Sequence, residues 1–265
     1  MDQETFSLIT GASSGIGECF ARALGSRQRN LVLVARSEEK LKELAAELAA
    51  RHGVRVEVIP ADLAVGGAAS QLAETLRARN CLVDLLINNA GFGARGEFSK
   101  LSLERQSAMV ALNINTLVEL TYLLLPDMLR LRRGGVINVS STASFQPIPY
   151  TTTYAATKAF VTSFSMGLAE ELRPYGIPVV TLCPGGTRTN FFVAGQYGVR
   201  DIPGGMQAPE AVAEAALEAL ERGGGLVVPR LINKLSIMVQ RLVPREMVAK
   251  FAAKIFRPPD AGDSM

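Results

Sequence analysis

The chain has no tryptophan, one histidine and three cysteines in 265 residues, and each scarcity excludes something. A serine-histidine-aspartate hydrolase or a histidine-ligated metal centre is built from imidazoles. The one imidazole, His52, sits at the polar end of an expected helix just before Gly53 and reads as a solvated residue near a helix C-terminus. Cys19, Cys81 and Cys183 lie far apart without C-x-x-C spacing. They read as buried thiols in a reducing compartment, not as a disulfide frame or a zinc site. Excess charge is lacking too: 28 Lys and Arg against 25 Asp and Glu leave +3, too little to point to nucleic acid. Met1-Asp2-Gln3-Glu4 is acidic and polar, unlike a signal peptide. No apolar run is expected to reach the roughly 18 to 20 residues that span a bilayer. The expectation is an intracellular, cytoplasmic protein. What is present is 48% apolar residues, enough at this length for one sizeable core and one domain.

The most informative stretch is Thr10-Gly11-Ala12-Ser13-Ser14-Gly15-Ile16-Gly17, between a β-prone run, Phe6 to Ile9, and an expected helix, Glu18 to Arg27. Strand, glycine-rich turn and helix aim backbone N–H groups and the positive end of a helix dipole at a phosphate. One glycine serves a sharp turn, one the approach of backbone to a pyrophosphate, one the packing of helix on sheet. The spacing is Gly-x-x-x-Gly-x-Gly and lacks the Gly-Lys-Ser/Thr ending of an ATP-binding loop.

Downstream, strands and helices alternate. Expected strands are Asn30 to Ala35, Val54 to Ile59, Val83 to Asn88, Val136 to Ser140, Ile177 to Leu182 and Leu226 to Pro229. Between them read a helix capped by Ser37 with the stripe Leu41, Leu44, Ala45, Leu48, and one with Leu72, Thr75 and Leu76 on its inner face. A long helix, Ser102 to Arg132, is expected to kink or break at Pro126, and further helices run from Thr152 to Pro174 and from Pro209 to near Gly223. No hairpin signal interrupts the rhythm. The fold class is α/β: one doubly wound Rossmann domain, a parallel sheet of about seven strands with helices on both faces.

Tyr154 and Lys158 fall four residues apart on an expected helix and so share a face. A tyrosine near its ordinary pKa of about 10 is a poor acid or base at neutral pH, but an ammonium one turn away favours the phenolate. Ser141, at a strand end, stands thirteen residues upstream and could hydrogen-bond the oxygen that Tyr154 protonates. The bland alternative is a surface cation near a half-buried ring.

Thr10-Gly-x-x-x-Gly-x-Gly17, Asn88-Asn89-Ala90-Gly91, Ser141, Tyr154, Lys158 and Pro184-Gly185 occur in that order. Together they resemble the short-chain dehydrogenase/reductase family over residues 5 to 230, with an NADP(H)-preferring carbonyl reductase or 3-oxoacyl reductase as the nearest type. The resemblance implies catalytic roles for Ser141, Tyr154 and Lys158, and for Asn113, ahead of Asn115, a water-holding place in a proton relay. It implies cofactor contacts from Gly11, Ser13, Ser14, Gly15, Ile16 and Gly17, from Asp62 and Leu63 beside the adenine, and from Asn89, Ala90 and Gly91 along its ribose. It implies the same of Tyr154 and Lys158, and of Pro184, Gly185 and Thr187 at the nicotinamide. It implies also a homodimer or homotetramer through the long helices. No metal is expected.

The second strand ends Ala35-Arg36 with no carboxylate before Glu38. An arginine there suits the 2′-phosphate of NADP(H) rather than the free hydroxyl of NAD(H). A segment from Thr187 to Gln207 with Phe191, Phe192, Tyr197 and Gly204-Gly205 reads as a lid over a hydrophobic substrate or, in the empty protein, as a poorly ordered loop, with Arg188 and Arg200 as its cations. The domain is read as residues 1–232, including the loop 187–207, followed by a basic amphipathic extension, 233–265. There Leu235, Met238, Val239, Leu242 and then Val248, Phe251, Ala252, Ile255 fall at helical spacing either side of Pro244. Such a tail can pack on the body or a second subunit, grip an acidic acyl carrier, or touch an anionic membrane peripherally. The expected activity is NADP(H)-dependent interconversion of a carbonyl and an alcohol on a small hydrophobic molecule, a ketone, 3-oxoacyl chain or hydroxysteroid-like alcohol. The alternatives are a sugar-directed relative and a dinucleotide sensor without turnover.

Overall fold

The strands alternate between two cores, and that alternation builds the molecule. The computed structural model describes residues 4–195 and 205–258. Its strands are β1 (Thr5–Thr10), β2 (Asn30–Ala35), β3 (Val56–Pro60), β4 (Leu82–Asn88), β5 (Gly135–Val139), β6 (Val179–Leu182) and β7 (Gly225–Val227). Its helices are α1 (Gly15–Ser26), α2 (Glu38–His52), α3 (Ala68–Ala78), α4 (Leu103–Val110), α5 (Thr116–Leu131), α6 (Thr152–Leu172), α7 (Phe191–Ala194), α8 (Pro209–Glu221), α9 (Leu231–Gln240) and α10 (Arg245–Phe256). The strands form one parallel sheet in the order β3-β2-β1-β4-β5-β6-β7. Ile9, Leu31, Leu33, Ile87, Ile137 and Val180 point to one face, where α1, α2 and α8 bury Phe20, Leu41, Leu48 and Val212. Their neighbours Leu8, Val32, Val34, Leu86, Val136 and Val179 point to the other, where α3, α5 and α6 bury Leu72, Leu120, Met128 and Leu168. Period-two side chains buried on both faces make the near-continuous apolar strands of a doubly wound sheet. Each such side chain contributes about 1.5–3 kcal/mol.

Strand order reverses between β1 and β4, the place where open α/β sheets bind ligands beyond the strand C-termini. The glycine turn follows β1 and Asn89-Ala90-Gly91 follows β4, so both open onto this crevice.

Several expectations shift. Ser37 occupies the N-cap of α2 but its hydroxyl makes no capping bond. The long helix runs through Pro126 and is interrupted instead by a π-helical turn, Ala111–Asn115. Cys81 and Cys183 are buried, whereas Cys19 is only half-buried. The helical run Leu103–Leu131 is, by length and composition alone, apolar enough to cross a bilayer, which the sequence was not expected to contain. Here Leu120, Leu124 and Met128 of that run lie in the second core.

Candidate active site

The glycine turn is closed by side chains from β4. Thr10 Oγ1 accepts from the backbone N–H groups of Asn89 and Ala90, both at 3.0 Å, and the Asn89 amide donates to Thr10 O at 2.9 Å and Gly11 O at 3.3 Å. Gly11 has φ +67°, a conformation that side chains resist. A Cβ at Gly17 would overlap Gly11 O and come within 2.6 Å of the Asn89 amide nitrogen. The turn, the start of α1 and the end of β4 are therefore one packed unit. Gly15 opens α1 after Ser14, which is extended and makes no side-chain cap bond; Ser13 and Ile16 flank them, half-buried.

Arg36 stands exposed just past β2, beside the turn that Ala12 N ties to Val34 O at 3.2 Å. Among the described residues it forms no salt bridge, whereas Glu38, the nearest downstream carboxylate, is engaged by Lys42 at 2.7 Å. Asp62 Oδ1 accepts from Ala64 N at 3.0 Å, while Leu63 is buried in the second core and its carbonyl accepts from Thr116.

On the other side of the crevice, β5 delivers Ser141 and α6 delivers Tyr154 and Lys158. Ser141 is extended, and its Oγ accepts from Ala143 N at 3.1 Å as it caps a 3-10 turn, Thr142–Phe145. That acceptance leaves its hydroxyl hydrogen available to a substrate oxygen. Tyr154 packs against a small cluster that includes Ala143, two residues past Ser141, and Ile148. Lys158 is 5% exposed, its Nζ donates to Val139 O at 2.7 Å, and it lies 5.9 Å from the centre of the Tyr154 ring. Burial holds the Lys158 ammonium down to about 8, from an ordinary 10.5.

Asn113 is buried in the π-helical turn, and Asn115 is exposed. The Asn113 amide donates to Phe92 O at 3.1 Å and Thr157 Oγ1 at 3.0 Å, and its Oδ1 accepts from Phe92 N at 3.2 Å. Thr157 in turn donates to Tyr154 O at 2.8 Å. Asn113 thus fixes the loop after β4 to the first turns of α6. A π-bulge placing a polar side chain in this way is a frequent mark of functional sites. A Cβ at Gly91 would meet Asn113 Oδ1 at 2.9 Å and Lys158 Nζ at 3.5 Å, so the absence of a side chain lets the loop after β4 lie close to both.

Past β6, Pro184 O accepts from Thr142 N at 2.9 Å and Thr187 Oγ1 donates to Gly185 O at 3.0 Å. Thr187 and Gln207 form a bridge that closes the base of the expected lid. Arg188 N donates to Gln207 O at 2.9 Å. Phe191 lies 5.3 Å from the Tyr154 ring and Phe192 5.6 Å from Phe191. Tyr197, Arg200 and Gly204 lie outside the described residues.

Sequence reasoning assigned no role to Thr10, Asn138, Thr157 or Arg95. Asn88 donates to Asn138 Oδ1 at 2.9 Å and Thr121 Oγ1 at 3.1 Å, and Asn138 donates to Ser165 Oγ at 2.9 Å. This buried relay braces β4 and β5 against α5 and α6. Its one sequence signal was a polar residue in an otherwise apolar strand.

A model of the short chain dehydrogenase family matches residues 5–196. The chain belongs to that family. It is 35% identical over 185 residues to a very-long-chain 3-oxoacyl-CoA reductase of Anas platyrhynchos, covering 68% of this chain and 58% of that protein; the chain thus spans less than two thirds of that relative. Among solved structures it resembles a short-chain dehydrogenase from Sphingobium yanoikuyae in complex with NADPH, with TM-score 0.81, 32% identity, and 98% and 99% of the two chains covered. It also resembles the bulky-bulky ketone specific alcohol dehydrogenase of Comamonas testosteroni, with TM-score 0.76, 33% identity, and 91% and 94% covered. Its sheet is the Rossmann-like sheet of that family. Its residues fit a dinucleotide: close-packed glycines at a helix N-terminus, a side-chain-free position at Gly91, and an exposed arginine beyond β2.

Proposed function

We propose that this short-chain dehydrogenase uses NADP(H) to interconvert a bulky hydrophobic ketone and its alcohol. The observation that carries the reading is a buried Lys158 whose Nζ lies on the Val139 carbonyl at the end of β5 and 5.9 Å from the Tyr154 ring, with Ser141 two residues further along the same strand end. The nicotinamide, when bound, supplies or accepts the hydride. The chain handles the oxygen. The Ser141 hydroxyl donates to the carbonyl oxygen, Tyr154 delivers a proton to it, and the Lys158 cation favours the negative charge left on the phenol. Asn113 holds α6 in register through Thr157. Gly11 to Gly17, Asp62, Leu63, Asn89 to Gly91, Pro184, Gly185 and Thr187 line the dinucleotide's path, and Arg36 meets the 2′-phosphate.

An apolar substrate is supported by Phe191 beside Tyr154 and Phe192 against Phe191, by Phe256 packed on the same small cluster as Tyr154, and by relatives whose names specify bulky ketones and 3-oxoacyl chains. The test is Tyr154→Phe assayed by NADPH oxidation over a panel of ketones. Turnover should fall by at least about a thousandfold while NADPH binding persists. A Phe variant that reduces every wild-type substrate at the wild-type rate refutes the assignment.

A further inference from the structure

The last two helices wear their amphipathicity inside out. In α9 the side facing the body carries Asn233, Ile237 and Gln240, of which Ile237 is the buried one. Asn233 presses on Gly185, and Ile237 packs with Cys183, Val228 and Phe145. The apolar residues Leu231, Ile232, Leu235, Met238, Val239 and, just past the helix end, Leu242 are all exposed, Leu231 at 70% and Leu242 at 86%. At about 100° per residue these six fall within an arc of about 120°, turned away from the body. In α10 Ala252 and Phe256 face the Tyr154 cluster, and the opposite side shows Met247 and Phe251 among Lys250 and Lys254. The exposed cations of this pair are Lys234, Arg241, Arg245, Lys250, Lys254 and Arg257, against one carboxylate, Glu246.

We infer that α9 and α10 dock the protein on an anionic lipid surface, with the apolar stripe in the acyl boundary and the cations at the headgroups. Charge selects this occupant. A second copy applying the same face would set six cations against six. An acidic protein would engage the cations and leave the apolar stripe in water. A bilayer with anionic headgroups takes both, in the manner of an interfacial amphipathic helix. The helices that touch lipid are also those packed beside Gly185 and Tyr154, so the surface adjoins the site that takes an apolar substrate.

Full-length protein is sedimented with vesicles of phosphatidylcholine, with and without phosphatidylserine. Binding should require phosphatidylserine and weaken with added salt. Leu235→Glu/Met238→Glu and, separately, Lys250→Glu/Lys254→Glu should each lower the partition coefficient at least about tenfold. All four positions are exposed, and a thermal melt reports that each variant is folded. Failure to sediment with phosphatidylserine vesicles overturns the inference, as does sedimentation that both variants leave unchanged. A wild-type dimer that Leu235→Glu/Met238→Glu converts to monomer assigns the face to a second copy and equally overturns it. None of these readouts uses turnover, so they stand apart from the fate of the reductase reading.

Discussion

Lys158 loses its water on folding and gains the Val139 carbonyl at 2.7 Å. Its ammonium is held to about 8, below the ordinary 10.5, because burial penalises the charge. Between those two values the unfolded chain binds the proton and the folded one does not, so stability rises with pH across that window. Seen the other way, stability is full above 10.5 and is lost as pH falls through 8. Urea melts of the wild type and Lys158→Met in the absence of cofactor should therefore diverge: the wild type gains on the variant from pH 8 to 10.5 by a few kcal/mol, and parallel curves contradict the burial argument. Arg36 presents the opposite case, an exposed guanidinium without an ion pair among the described residues. A charge-assisted contact to a phosphate is worth roughly 1.5–3 kcal/mol. Arg36→Ala should weaken NADPH binding about tenfold or more in a fluorescence titration and leave NADH unchanged; equal loss for both removes it as the selector. These residues were legible beforehand because their spacing is local: Lys158 is one helical turn from Tyr154, and Arg36 one step past a strand.

Elements join the site through backbone as much as through side chains. The loop after β4 is held at Asn113 by both hydrogen-bonding groups of Phe92 and passes to Arg95, whose side chain is buried. Arg95 Nε donates to Phe256 O at 2.8 Å and its terminal nitrogen to Arg257 O at 2.7 Å, while its backbone N–H donates to Gly195 O at 3.2 Å. One residue thus fastens the C-terminus of α10, where a cation suits the helix dipole, and the end of the α7 turn. It is a positioning residue for the wall formed by Phe256. Arg95→Ala should lower Tm by about 10 °C, from two lost charge-assisted bonds. It should also raise KM for a bulky ketone several-fold, with kcat on a small one unchanged, and Arg95→Lys should recover part of both. A Tm loss with no KM split would leave Arg95 a purely structural clasp. The helix expectations fared unevenly for a related reason. Pro126 reads as a breaker from propensity, yet α5 continues through it while its stripe Leu120, Leu124, Met128 packs on the sheet. The interruption falls at Ala111–Asn115, where nothing but the tertiary position of Asn113 calls for it.

Across the whole molecule, apolar strand runs and 3.6-residue helices were readable because burial on two faces imposes the first and burial of one face the second. Seven strands, their parallel arrangement and the glycine turn followed from that, with boundaries displaced by a residue or two where hydrogen bonding, not hydrophobicity, decides the end. The order of strands, and hence the crevice between β1 and β4 onto which the turn at Gly11 opens, depends on how the layers pack. The tail shows the same division. Its composition said basic and amphipathic, but helical spacing is blind to which face meets the body. Only packing turned Ile237, Ala252 and Phe256 inward and left Leu235, Met238 and Phe251 outward. What the sequence by itself determined is the set of local units and the chemistry they carry, because neighbours along the chain fix both. What only the tertiary structure decided is the company those units keep: Arg95 holding a carbonyl 161 residues away, a bond between separations that no periodicity spans.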